Sequence, residues 1–241
     1  MTGRQSGYKH GDHLVTTNGT SYKEQARTMT HNNKTFENLP EEKQQRVLAE
    51  ATREFADHGY HQASVNRIVD RLGIAKGSLF KYFGNKQGLF EHIFGHAVAQ
   101  FKKPLKEIRD TPGHDFFERI EQSFIAGCKF VDAHPHIYRI YLKMLFNENF
   151  PLRERFLGEI RGALARFLRQ LVEDGIKAGH LPEGLNVDMA VFNLHAILDR
   201  FLQGHAVPSL DPGLEPAHLS LSEKALGLTN FLRHGLTEAS C

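Results

Sequence analysis

The stretch IAKGSLFKYFGNKQGLF, residues 74–90, decides the fold of this 241-residue chain. It combines lysines and aromatic residues over a length that fits one short helix and the start of the next. Gly77 lies inside the short helix, where glycine costs ~1 kcal/mol relative to alanine. Lys86 lies near the positive end of the following helix, where a cation is disfavoured. Both choices are explained if a bulky anionic partner lies against this surface.

The residues before this stretch predict two further helices. One begins after Pro40 and ends near Gly59. Ser64 is placed to cap the second, which carries apolar residues on one side, and Gly73 then supplies a sharp turn. A helix, a short turn with glycine and a second helix over residues 64–83 have the spacing of a helix-turn-helix.

The charge of this region indicates what the motif binds. Residues 61–90 contain one acidic residue, Asp70, and five basic ones: Arg67, Arg71, Lys76, Lys81 and Lys86. Across residues 36–91 eight basic residues balance eight acidic ones, so the basic character belongs to one face and not to the whole unit. Short basic helices are typical of phosphate binding, whereas a packed unit with solvated lysines is the alternative.

A recognition helix presents its N-terminal residues to base edges in the major groove. Gly77 would let the backbone approach, and Ser78 and Lys81 would reach bases or phosphates. The Tyr82 hydroxyl suits a phosphate oxygen, and Lys86 becomes favourable once a phosphate occupies the helix start. The candidate DNA-binding residues are Ser64, Lys76, Gly77, Ser78, Phe80, Lys81, Tyr82 and Lys86.

The run from Gly77 through Ser78, Leu79, Phe80, Tyr82 and Phe83 to Lys86 and Leu89 closely resembles the DNA-binding signature of the tetracycline-repressor (TetR) family of bacterial transcriptional regulators. The resemblance covers about residues 40–95. It implies a ligand-responsive repressor that binds a palindromic operator as a homodimer and is released by a small apolar or aromatic effector. The sequence departs from the family pattern at Leu72, Ala75 and Phe80, where alanine, serine or threonine, and tyrosine are usual.

The whole chain is predicted to be all-α, in three parts. Residues 1–35 are polar and read as a disordered basic tail, either solvated or touching nucleic acid. Residues 36–84 form the helix-turn-helix DNA-binding domain, and residues 85–241 form a helical bundle for effector binding and dimerisation. Helices of that bundle are expected at about 85–103, where Pro104 ends the first, and at 113–133, 135–147, 151–178, 186–205 and 216–235.

The resemblance implies a pocket and a dimer interface in the C-terminal bundle. The candidate pocket residues are Phe94, Phe124, Tyr138, Tyr141, Phe167 and His195. His195 fits either a polar anchor in the pocket or a hydrogen-bonded interface residue, and we favour the interface. Candidate interface residues on the last two helices are Leu194, Leu198, Phe201, Leu228 and Phe231. The sequence does not identify the effector.

Other classes of function have less support. Fifteen histidines, including His92, His96, His134 and His136, raise the possibility of a metal site, but no HExxH or cysteine pair accompanies them. We find no nucleophile elbow, phosphate loop or dinucleotide fingerprint, and we expect no enzyme activity and no cofactor. Two cysteines and no apolar leader or spanning segment favour the cytoplasm. An enzyme or carrier built on a helical cavity, and a DNA-binding scaffold without ligand sensing, remain the alternatives.

Overall fold

The computed structural model describes residues 35–146, 150, 153–210 and 219–236. Within these ranges the regular structure is helical throughout, which confirms the all-α prediction. The helices are α1 (Glu41–Gln62), α2 (Val65–Leu72), α3 (Lys76–Phe83), α4 (Lys86–Asp110), α5 (Phe116–Ala133), α6 (Pro135–Phe146), α7 (Arg153–Lys177), α8 (Val187–Ala206) and α9 (Leu221–Leu236). None of these helices is long and apolar enough to cross a membrane. The predicted tail falls, apart from Thr35, outside the described residues.

Glycine and capping residues define the three-helix unit formed by α1, α2 and α3. Gly59 leaves helical geometry at φ 67° near the end of α1. Ser64 caps α2 by accepting a hydrogen bond from the Arg67 amide, and Gly73 closes α2 in the left-handed region at φ 66°. Asn85 then caps α4 through the amide of Gly88. These local signals give the sharp changes of direction that place α3 on the outside of the unit.

The core of the three-helix unit extends beyond residue 84, where we expected the domain to end. Its buried residues include Phe55, Ile68 and Leu79, but also Phe90 and Phe94 from the next helix. Three further segments complete this core with Ile140 and Met144 of α6, Phe150, and Phe156 and Leu157 of α7. The turn between α3 and α4 is therefore not a domain boundary in the packing, because one core continues across it.

The α4 helix continues through Pro104, which is a correction to the sequence prediction. Proline removes one backbone hydrogen bond and disfavours a helix interior. The residues that follow, Leu105 and Ile108, are both only 7% exposed, and they pack into a second core. Burial of that turn outweighs the local cost of the proline. The α4 helix consequently begins in the core of the three-helix unit and ends in the second core.

The second core lies between α5, α7, α8 and α9, with the end of α4 against it. The α8 helix packs against α7 and α5, and α9 packs against α5. Asp115 and Glu118 start α5 with a reciprocal capping box. This bundle supports the cavity described below.

Candidate nucleic-acid interface and ligand cavity

The α3 helix is held by its inner face and presents a polar outer face. Leu79 and Phe83 are 1% and 4% exposed in the core beneath it. On the outside, Lys76, Gly77 and Lys81 are exposed, whereas Ser78, Phe80 and Tyr82 are half-buried. The structure thus brings six of the predicted DNA-binding residues together on one short helix.

The first turn of α3 is open to a partner. A Cβ atom at Gly77 would meet nothing within 4 Å, so the protein's own packing does not require glycine there. Ala75 stands at the N-cap, and no side chain accepts a hydrogen bond from the first turn, whereas the Ser78 amide donates to the Ala75 carbonyl at 2.9 Å. The Lys76 ammonium lies 5.6 Å from the centre of the Phe80 ring.

Tyr82 is supported by a residue to which the sequence analysis gave no role. Phe36 is 1% exposed, and its ring lies 5.9 Å from that of Tyr82 and 4.8 Å from that of Phe83. His92 packs edge-on against Phe36 at 5.1 Å and also contacts Phe83. The sequence did not indicate that Phe36 would be buried, because no series of apolar residues at helical spacing lies around it.

A buried carboxylate joins α1 to α2. Glu54 has a fully buried side chain, and its Oε1 accepts from Arg67 Nη2 at 2.6 Å and from the Ser64 amide at 2.8 Å. Arg71 donates to Glu54 Oε2 at 2.8 Å. Burial alone would raise the pKa of Glu54, but these donors outweigh it and hold the pKa at about 2. The carboxylate therefore fixes the angle at which α2 meets α1.

These ion pairs correct the basic face that the sequence suggested. Arg67 and Arg71 were counted among five outward cations, but they point toward α1 and neutralise Glu54, with Arg71 also bound to Glu50 at 2.8 Å. Glu54 lies 13 and 17 residues from Arg67 and Arg71, so only the fold brings the three together. The exposed cations of α3 are Lys76 and Lys81.

Ser64 and Lys86, two predicted DNA contacts outside α3, already have partners within the protein. The Ser64 hydroxyl caps α2. The Lys86 ammonium donates to the His61 carbonyl at 3.0 Å and lies 4.9 Å from the Tyr60 ring centre. Burial lowers the pKa of Lys86. Contact of either residue with DNA stays a prediction, and both residues also hold the unit together.

A cavity lies inside the C-terminal bundle. It measures about 60 Å³. Its wall is formed by Phe94, Ala97, Val98, Phe101, Pro104, Leu105, Ser123, Ala126, Gly127, Phe130, Val131, Ile137, Tyr138, Tyr141, Ile160, Leu164, His195, Leu198, Asp199 and Leu202. Ligand clefts are usually ~300–1,000 Å³, so a ligand of ordinary size would have to push the walls apart.

Several polar groups on this wall belong to one cluster. Asp199 Oδ2 accepts from Arg161 Nη1 at 2.9 Å, and it lies 3.7 Å from His195 Nε2. That nitrogen is fully buried and has no hydrogen-bond partner among the described residues. Burial lowers the pKa of His195 and keeps the imidazole neutral. Burial and the nearby Asp199 charge raise the pKa of Tyr141 to about 12, so its hydroxyl stays protonated.

The predicted pocket residues divide into two groups. Phe94, Tyr138, Tyr141 and His195 lie on the cavity wall. Phe124 and Phe167 were expected there as well, but they lie in the packed core instead. For Phe124 the partner is the ring of Phe201, 5.1 Å away. Helical periodicity marks a residue as buried, and it does not distinguish a core contact from a cavity wall.

The predicted interface residues also divide. Leu194 and Leu198 are 2% and 5% exposed inside the protomer, so they face its own core and not a partner. Phe201 and Leu228 are partly buried, whereas Phe231 is 69% exposed. The outward apolar side chains of α8, which the sequence analysis did not select, are Met189 and Phe192. An open groove runs between α8 and α9 beside Phe201, Leu228 and Phe231.

The histidines considered for a metal do not converge. Within the described ranges, no three histidine, cysteine or carboxylate side chains are grouped so that they would hold an ion. His92 packs between aromatic rings, and His136 lies near Arg139. Cys128 is fully buried, which raises the pKa of its thiol to about 12.

Two family models match the chain. Residues 47–93 match the model described as bacterial regulatory proteins, tetR family, and residues 114–227 match the tetracyclin repressor-like C-terminal domain. The first match covers most of the three-helix unit and the start of α4. The second contains most of the cavity wall and the whole of α8.

Similar proteins include named regulators. The chain is 40% identical over 165 residues to the HTH-type transcriptional repressor AcnR of Corynebacterium diphtheriae, covering 66% of this chain and 79% of that protein. It is 28% identical over 154 residues to the fatty acid metabolism regulator protein of Bacillus subtilis, covering 61% and 75%. The structure of FadR from Bacillus subtilis with stearoyl-CoA has the same fold, with a TM-score of 0.60, 20% identity, and coverage of 80% and 97%.

Proposed function

Because the chain belongs to the tetR family of bacterial regulatory proteins, we propose that it is a repressor whose α3 helix reads a palindromic operator and whose cavity takes a long-chain acyl effector. Membership makes it a ligand-responsive, DNA-binding transcriptional regulator. The single observation that carries the proposal is α4, which runs from the DNA-binding unit into the cavity wall.

The α3 surface supports DNA binding by the residues it presents. Lys81 and Lys76 are exposed cations for phosphates, and Gly77 allows the backbone to approach base edges. Ser78 lies beside them, and the Tyr82 ring is braced by Phe36. Lys86 starts α4, where a phosphate would meet the helix N-terminus.

A two-fold dimer would present two copies of α3 to two half-sites. The outward apolar residues of α8 and α9, Phe192, Met189 and Phe231, support an interface there. Phe231 lines a groove together with Phe201, Leu219 and Leu228, and a contiguous exposed apolar patch is typical of an interaction site. Leu194 and Leu198 would support that interface from within by fixing α8 in the protomer core.

Two observations support an acyl effector. The cavity wall is almost entirely apolar, with polar groups confined to a few side chains. The similar Bacillus subtilis protein is named a fatty acid metabolism regulator, and the FadR structure of the same fold contains stearoyl-CoA. Entry of an acyl chain into so small a cavity would displace Phe94 and Val98 of α4. Movement of α4 would then shift the three-helix unit.

As the proposed regulator, the chain would have no catalytic role and would act in the cytoplasm, where the operator lies. An enzyme that uses the cavity would turn over acyl compounds, whereas a regulator would bind and release them unchanged. A DNA-binding scaffold without sensing would bind the same operator with no response to acyl compounds.

The test begins with selection of bound fragments from genomic DNA. We expect a palindromic duplex whose binding weakens steeply with salt and is released by stearoyl-CoA. The matched control is CoA without an acyl chain, which we expect to have no effect. Salt-insensitive binding, or release by CoA alone, would contradict the proposal.

A further inference from the structure

The cavity has a buried polar position to which none of the described residues hydrogen-bonds. His195 Nε2 is buried inside the wall, and it lacks a hydrogen-bond partner throughout the described part of the chain. The nearest carboxylate oxygen, Asp199 Oδ2, is 3.7 Å away, beyond hydrogen-bonding distance. Buried polar groups are nearly always paired, so this nitrogen marks a place for a polar ligand atom.

The charges around His195 restrict what that atom can be. Among the described residues of the cavity wall, Asp199 is the only acidic side chain, and none is a lysine or arginine. Arg161, outside the wall, already neutralises Asp199 at 2.9 Å. A ligand carboxylate at His195 would therefore be desolvated beside a second carboxylate without a free cation, which is unfavourable. A ligand ammonium would have to displace the guanidinium.

We propose that His195 selects an effector with one uncharged oxygen, such as an ester or thioester carbonyl, at the polar end of its apolar body. The neutral imidazole would donate from Nε2 to the carbonyl oxygen. The Tyr141 hydroxyl lies in the same cluster. Burial and the nearby Asp199 charge raise the pKa of Tyr141 to about 12, so this hydroxyl stays protonated. This inference rests on the proposed function, because it assigns the head group of the ligand that the cavity takes.

The test compares three probes of equal chain length: dodecanoic acid, methyl dodecanoate and dodecane. Calorimetric titration at neutral pH should show the ester binding about tenfold or more tightly than the carboxylate, since the charged form is disfavoured by burial. The ester should also bind more tightly than the alkane. Replacing the histidine in His195→Phe should abolish the preference for the ester over the alkane.

Val98→Ala is the matched control, because Val98 lies on the same wall and has no polar atom. It should change the binding of ester and alkane by the same factor and leave their ratio unchanged. Equal binding of acid and ester, or an ester preference that survives His195→Phe, would overturn the inference and leave an acyl effector possible. Failure of all three probes to bind would instead overturn the proposed acyl effector, and this inference with it.

Discussion

The ring of Phe94 lies 4.5 Å, centre to centre, from the ring of Phe156, and Phe94 also lines the cavity. Phe156 belongs to the core of the three-helix unit. One α4 side chain therefore contacts both the DNA-binding core and the space for the effector. A ligand that displaces Phe94 must also disturb the packing beneath the three-helix unit, because close-packed cores transmit such changes.

Glu54 gives a stability prediction with a defined pH dependence. Glu54→Gln should lower the free energy of unfolding by ~1–3 kcal/mol near pH 7, because buried donors lose a charged acceptor. The folded-state pKa of about 2 is below the ordinary 4.5, so the stabilisation is present above 4.5 and is lost as pH falls toward 2. Urea denaturation at neutral and acidic pH measures this change.

Glu42→Gln is the control, since Glu42 is exposed on the same helix. It should change the free energy of unfolding little at any pH. If both variants behave alike, or if the deficit of Glu54→Gln grows as pH falls, the assigned role of the buried carboxylate is wrong.

Lys81 gives a prediction about DNA affinity. Lys81→Gln should weaken binding to all duplexes and reduce the log–log salt slope by about one, because one phosphate contact is lost. Lys106→Gln removes the same charge from the far end of α4, and it should leave both quantities unchanged. Titrations of duplex DNA with each variant at several salt concentrations measure both the affinity and the slope. An unaltered slope for Lys81→Gln would remove α3 from the interface.

Replacing each of two glycines of α4 with alanine should change the stability of the protein in opposite directions. A Cβ atom at Gly88 would lie 2.1 Å from the Phe83 carbonyl oxygen, so Gly88→Ala should destabilise the turn by more than ~2 kcal/mol. A Cβ atom at Gly95 would meet nothing within 4 Å, so Gly95→Ala should stabilise the helix by up to ~1 kcal/mol. Thermal unfolding followed by circular dichroism ranks the two, and a stabilising Gly88→Ala would disprove the close approach.

The dimer proposal predicts different effects for two aromatic positions. Phe231→Asp should yield a folded monomer, because the ring is exposed on α9 and its burial would drive association. Phe124→Asp should instead unfold the protein, because Phe124 is 2% exposed in the core. Sedimentation and circular dichroism separate these results. A wild-type chain that is monomeric at micromolar concentration would exclude the interface.

The sequence predicted local features well and spatial relationships less well. The cap at Ser64 and the turn at Gly73 depend on neighbouring residues, so the sequence alone could predict them. Glu54 pairs with residues that are distant in sequence, and its effect on the apparent basic face was therefore missed. The continuation of α4 through Pro104 required the burial of Leu105, which local propensity does not report.

The same limit applies to the cavity and the interface. The sequence analysis gave Phe124 as a candidate pocket residue and Leu198 as a candidate interface residue, but the sequence does not show which neighbours either residue meets. From the sequence, His195 fitted either a polar anchor in the pocket or a hydrogen-bonded interface residue, and the interface was favoured. The packing of α8 against α7 instead places it on the cavity wall.

The central claim, that α4 couples the cavity to the DNA-binding unit, is tested most directly by measuring stearoyl-CoA affinity with and without the selected operator duplex. We expect the affinity to fall when the duplex is bound, and duplex affinity to fall by the same factor when stearoyl-CoA is bound. Phe94→Leu should reduce that factor, whereas Phe101→Leu, which alters the cavity wall away from the three-helix unit, should leave it unchanged. Equal stearoyl-CoA affinity in the presence and absence of the duplex would contradict the account.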